Sequence, residues 1–216
     1  VVTADKSPVA LMFEDVMKES SKRNLKFKYK ATVMAGTPIV DMLSQIRLYD
    51  VEEVEGILNG STNYILTKIS KDFLSFEEAL ANAKALGILE SDPKLDLEGL
   101  DTAAKLVIVA NTLGYNLKME EVRRTPITKQ EEKIKSILKK NEVPKYVGVI
   151  SFNLRKAQVK LSGYPYSDPM SNVNDTLNAI RIKSSVNNIF VVGKGAGPLE
   201  TAHALLSDIV SIIRGG

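Results

Sequence analysis

The sequence predicts an α+β fold, with a mixed or largely antiparallel sheet and helices packed on one face. Strand-like and helix-like segments are mixed without the strict alternation that builds a parallel sheet, and the last third carries four short strand candidates in succession. One helix is apolar on nearly every side, so it must be covered all round. With 216 residues, 44% of them hydrophobic, the chain is long enough to bury a sizeable core.

In chain order, Val1-Val2-Thr3 reads as the tail of a buried strand, so the chain is expected to begin in mid-structure. Ser7 is the expected N-cap and Pro8 the first residue of a helix with Val9, Met12, Phe13 and Val16 along it. Residues 25–33 suit a strand, 38–48 a helix and 51–58 another strand. The Asn59-Gly60 turn opens a helix over 61–70, and Ser75 with Glu78 makes a capping box for a helix that Gly87 ends. Residues 99–113 form a helix apolar on nearly every side, with Asp101 and Lys105 inside it as its charged residues, whereas 131–141 is a charged amphipathic surface helix. Strands are expected at 146–154, 157–161, 178–182 and 189–192, then a helix over 198–214.

Composition narrows the function. A net charge of +3 against 29 basic and 26 acidic side chains gives no reason to expect nucleic acid or an anionic membrane, and favours a small-molecule ligand. Without cysteine and with one histidine, His203, there are no disulfides, thiolate metal sites or cysteine nucleophiles. No apolar run approaches the roughly 20 residues needed to span a bilayer, and the first residues lack a signal-peptide layout, so a cytoplasmic protein is expected.

The sharpest chemical signal is Asp101 and Lys105, spaced i, i+4 on an otherwise apolar helix. Either they form a structural ion pair, or burial and the carboxylate hold the lysine for acid–base work. The loop Glu90-Ser91-Asp92-Pro93-Lys94-Leu95-Asp96 leads into that helix and can bring carboxylates to a cationic group. Lys6 lies at a helix start, where it adds to a field that favours anions. Gly193-Lys194-Gly195-Ala196-Gly197 sits between a strand and a helix, the setting of a phosphate-binding loop, although no following strand with an acidic residue completes a dinucleotide fingerprint. His203 reads as a packed or surface residue.

These residues resemble a known family. Ala83-Lys84-Ala85-Leu86-Gly87, Asp92-Pro93, Asp96-Leu97, Gly99, Asp101 and Lys105 are similar, in order and spacing, to the homoserine dehydrogenase signature. Thr3 to Lys6, Ala31 to Pro38, Gly56 to Leu66 and the glycine loop resemble the same family in the same order. The resemblance implies NAD- or NADP-linked interconversion of L-homoserine and L-aspartate 4-semialdehyde in a homodimer. It implies that Lys105 exchanges the proton, supported by Asp101, and that Lys6 orients cofactor and substrate. Glu90 and Asp96 would hold the ammonium end, Gly60, Ser61 and Thr62 would line the pocket, and Gly195, Ala196, Gly197 and Glu200 would approach the cofactor with Lys6. Residues 13–192 would form the substrate-binding, catalytic and dimerisation domain. Residues 1–12 and 193–216 would be Rossmann-like remnants that pack with a missing N-terminal nucleotide-binding domain.

Three departures qualify the likeness. Ile88 and Leu89 replace an aromatic and a small residue, removing one hydroxyl contact to substrate. Lys30 stands where many members have a sodium-binding glutamate, so its ammonium is expected to replace the cation beside the carbonyls of Val33, Ala35 and Thr37, and no metal is expected. The family's N-terminal strand and glycine-rich turn do not occur in this sequence. The alternatives are a non-catalytic dimerisation or regulatory module on the same scaffold, or another amino-acid-pathway dehydrogenase.

Overall fold

Asp5 starts the first helix. In a computed structural model that describes residues 1–89 and 92–215, its carboxylate accepts the backbone N–H of Ser7 at 3.0 Å and opens α1 (Lys6–Leu11). The cap therefore falls two residues before the expected Ser7. Pro8 is still tolerated, because in the first turn its missing N–H has no intrahelical partner. The helix breaks at Met12 and resumes as α2 (Phe13–Lys22).

The expected strand over 25–33 does not form. Val1 to Thr3 pair with this stretch through one parallel bridge, Val2 to Lys28, and Val1 is exposed rather than buried. Lys30–Thr32 then winds into a 3-10 turn, because the Thr32 hydroxyl donates to the Tyr29 carbonyl and the Lys30 N–H donates to Asp208. Backbone groups spent on side chains and turns cannot extend a ladder.

The remaining elements follow the expected order. They are α3 (Ile39–Gln45), β1 (Val51–Ile57), α4 (Gly60–Lys71), α5 (Phe76–Ala85), α6 (Lys94–Leu97) and α7 (Leu100–Thr112), then β2 (Val122–Arg124), α8 (Glu131–Lys139), β3 (Glu142–Ser151), β4 (Lys156–Pro165), β5 (Leu177–Ser184), β6 (Asn188–Lys194) and α9 (Pro198–Ile213). The Ser75–Glu78 capping box forms as expected. Strand β2, three residues with two exposed arginines, has no pattern to betray it. The start of β3 was hidden by Pro144 and Lys145, residue types that rarely sit inside a buried strand.

The sheet is mixed and largely antiparallel, in the order β2-β4-β3-β1-β5-β6, with only β2 and β4 parallel. Helices α4, α7 and α8 cover one face, and α7 is buried on all sides, as its composition demands. On the other face Ile57, Val147, Val149, Tyr164 and Ala179 meet Met170 and Val173 from the turn after β4. Among the described residues no helix is long and apolar enough to cross a membrane.

Lys145 ties these layers together. It is fully buried on β3 and donates to the carbonyl of Val173 and to Asn63 Oδ1 at 3.2 Å, while Asn63 also donates to the Val173 carbonyl. Burial, helped by the charge of Lys71, pushes its ammonium down to about 8. The unfolded chain holds that proton up to the ordinary lysine value of 10.5, so the Lys145 contribution to stability rises with pH between about 8 and 10.5. Below that window the buried charge costs on the order of 3 kcal/mol. We expect the stability of K145M relative to the native protein, from urea unfolding, to fall between about pH 7 and about pH 10. A difference that does not change with pH contradicts this.

Candidate active site

Helix α7 begins at Gly99, whose φ of 74° suits glycine, and whose missing side chain leaves room for the Tyr146 hydroxyl, 2.5 Å from where a Cβ would stand. One turn in, Asp101 and Lys105 face the end of β1. Lys105 Nζ donates to the Leu58 carbonyl at 2.6 Å and to Asp101 Oδ2 at 2.8 Å, and the residue is 7% exposed. An ammonium carries three protons, and among the described residues these two contacts use two of them.

Asp101 is the convergence point. Besides Lys105 it meets Lys6 Nζ through Oδ1 at 3.2 Å and accepts Asn59 Nδ2 through Oδ2 at 3.0 Å. Burial works to raise its carboxyl, but the ammonium charges of Lys105 and Lys6 and the hydrogen bonds outweigh burial and bring it down to about 2. Asp96 shares the Asn59 amide, accepting it through Oδ1 at 2.7 Å. Burial first, and then the charge of Asp101, push the Asp96 carboxyl up, against the hydrogen bond from Asn59. Two neighbouring carboxylates are thereby driven apart in proton affinity, an arrangement that recurs in acid–base sites.

Lys6, Asp96 and Asp101 line an open cleft of about 440 Å³, walled by Leu95, Leu100 and Met119, with Lys105 buried behind Asp101. The structure gives the residues at the start of α4 other surroundings than a pocket wall. Gly60 allows close approach of the Thr176 carbonyl, 2.9 Å from where a Cβ would stand. The Ser61 hydroxyl donates to the Ile88 carbonyl at 2.9 Å, and Thr62 is fully buried, its hydroxyl on Asn59. Glu90 lies outside the described residues. Sequence pattern marks neither Asn59, which reads as a turn residue, nor the Leu58 carbonyl as part of the site. An asparagine at a helix start reads as a cap, which it is, since Oδ1 accepts the Thr62 N–H at 2.9 Å.

The glycine loop is held by this chain's own atoms. Gly195 packs directly on the Asn178 carboxamide, and the N–H groups of Ala35 and Gly36 donate to the Gly195 and Lys194 carbonyls at 3.2 and 3.1 Å. Glu200, paired with Lys194 at 2.8 Å, lays its carboxylate against Gly197 at the start of α9. A carboxylate at that helix start adds negative charge where the backbone N–H groups favour an anion. His203 is exposed on α9.

Lys30 reaches Asp41 at 2.8 Å, the Ser207 hydroxyl at 3.3 Å and Asp208 at 3.6 Å. Its charge thus joins α3 to α9 rather than standing against the carbonyls of Val33, Ala35 and Thr37. Among the described residues no group of three or more acidic or histidine side chains could hold a metal ion.

Residues 38–210 match the family model described as homoserine dehydrogenase. The chain belongs to the homoserine dehydrogenase family. It is 40% identical over 216 residues to a homoserine dehydrogenase of Methanocaldococcus jannaschii, covering 98% of this chain and 63% of that protein. It is 34% identical to a Pseudomonas canavaninivorans protein named NAD(+)-dependent homoserine dehydrogenase, covering 98% and 62%. A solved homoserine dehydrogenase from Thiobacillus denitrificans superposes with a TM-score of 0.92 at 28% identity, over 99% of this chain and 51% of that one. The chain thus spans between half and two thirds of these family members.

The pairing around Asp101 predicts a stability effect. D101N leaves the buried Lys105 charge with only a carbonyl and an amide, and is expected to lower unfolding stability by about 3 kcal/mol. D101N/K105M removes the stranded charge and recovers part of the loss. Because the Asp101 carboxyl is depressed, its contribution is present above the ordinary carboxylate range and is lost as pH falls through about 2. Equal stability of D101N and the native protein near neutral pH overturns the assignment.

Proposed function

We propose that the chain is the substrate-binding and catalytic part of a homoserine dehydrogenase, which interconverts L-homoserine and L-aspartate 4-semialdehyde in the cytoplasmic aspartate pathway to threonine and methionine. The observation that carries this reading is Lys105, buried against Asp101 and Leu58 with two of its three protons on those groups among the described residues. In the reducing direction Lys105 Nζ gives a proton to the aldehyde oxygen as the carbonyl carbon is reduced, and in the other it takes the proton of the homoserine hydroxyl. Asp101 keeps the ammonium aimed and stabilises its charge. Asp96 accepts the ammonium end of the substrate together with Glu90, while Gly60, Ser61 and Thr62 lie behind them and fix the start of α4.

NAD or NADP, when bound, exchanges the hydride with that carbon. The residues present fit only the reactive end of such a group. Lys6 lines a cleft with apolar walls, and Gly195, Ala196, Gly197 and Glu200 would approach the cofactor from the other side, where the Glu200 carboxylate repels a pyrophosphate. A nucleotide-binding domain would cover residues 1–12 and 193–216, leaving 13–192 as the substrate, catalytic and dimerisation domain. The exposed stripe Leu199, Leu206, Ile209 and Ile213 on α9 supports that division. A second copy would pack on the sheet face away from the helices, where Leu177, Phe190 and Val192 are partly exposed.

In a protein that joins this chain to a dinucleotide-binding domain, K105A is expected to cut turnover by about 10²- to 10⁴-fold at a temperature where circular dichroism shows the variant still folded, although loss of the ion pair lowers its melting temperature. Near-native turnover would leave a non-catalytic scaffold as the better reading. Calorimetric titration of NAD or NADP into the chain alone is expected to show no micromolar site, and such a site would contradict the division proposed.

A further inference from the structure

The Asn59 carboxamide uses all of its hydrogen-bonding capacity. Its two N–H groups go to Asp96 at 2.7 Å and to Asp101 at 3.0 Å, and its oxygen accepts the Thr62 N–H at 2.9 Å and the Thr62 hydroxyl at 3.0 Å. The reversed amide is excluded, since it would aim an oxygen at two carboxylates and an NH₂ group at a backbone N–H. The residue is 4% exposed and lies next to Leu58, whose carbonyl holds Lys105. One peptide corner therefore contacts both carboxylates and the lysine.

We propose that Asn59 is a positioning residue that couples the substrate-binding carboxylate Asp96 to the proton-transfer pair Asp101–Lys105. Two carboxylates close enough to share one amide repel each other, and each is steadied by one of its N–H groups. With both ionised, Asp96 can receive a cationic ligand while Asp101 holds Lys105. When one takes up a proton, its claim on the shared amide weakens and the other is affected. Capping does not explain this arrangement, because a cap needs only the oxygen. Serine and aspartate cap as well as asparagine, but neither can donate one hydrogen bond to each of two carboxylates. The coupling rests on the assignment of Asp96 to the substrate ammonium, whereas the shared amide does not.

The test is carboxyl-detected NMR titration of the native chain and of N59S, which keeps a capping oxygen. In the native chain the Asn59 side-chain NH₂ signals should follow the titration of Asp96 and resist exchange. In N59S the Asp96 midpoint should rise by about one pH unit. Asn59 signals that ignore Asp96, or an unchanged midpoint in folded N59S, overturn the proposal. If N59S does not fold, the native-chain signals alone decide it. Kinetics in a protein that includes a dinucleotide-binding domain separate the two layers. An acid limb of kcat/KM that moves with the NMR midpoint supports the coupling. A moved midpoint with an unmoved limb leaves the shared amide in place and overturns both the coupling and the role of Asp96 in substrate binding.

Discussion

Asp101 holds the site together because, among the described residues, it is the carboxylate on which two ammonium groups and an amide converge. Lys6 comes from the start of α1, Lys105 from α7 and Asn59 from the start of α4, so three elements far apart in sequence are referred to a single charge. A charge at such depth is tolerated only where its partners are complete. The geometry of the neighbouring backbone follows from that requirement. Gly99 lets the helix begin under the Tyr146 hydroxyl, and the Leu58 carbonyl turns inward to take the lysine.

The fold supplies the stiffness that this arrangement needs. Helix α7 is packed against the sheet on one side and against α1 and α3 on the other, so its first turn has little freedom to move Asp101 away from its donors. The far side of the sheet is braced differently, by Lys145 on Asn63 and Val173 and by Arg181 between Glu55 and Asp168. Charge is buried in several places, and the cluster at Asp101 opens onto a cleft.

Much of this was legible in the residues, for definite reasons. The i, i+4 spacing of Asp101 and Lys105 on an apolar helix is enough to place them on one buried face, and the mixed order of elements points to the α+β sheet. What local pattern could not carry was the destination of side chains. Asn59 looks like a cap because it is one, and its donation to Asp96 and Asp101 depends on elements about 40 residues away. The glycines at 193–197 suggest a phosphate loop by pattern, and the pattern cannot show that Thr37, Asn178 and Glu200 press against them. The stretch at 25–33 has strand-like composition but only a single bridge as partner, and a strand cannot exist without a neighbour.

The most direct measurement is a crystal structure of a protein carrying this chain and a dinucleotide-binding domain, with L-homoserine and the nicotinamide cofactor bound. The account requires the substrate hydroxyl within about 3.2 Å of Lys105 Nζ, in the direction that Leu58 and Asp101 leave free. Substrate bound elsewhere, with the Lys105 ammonium still directed only at those two groups, would contradict it.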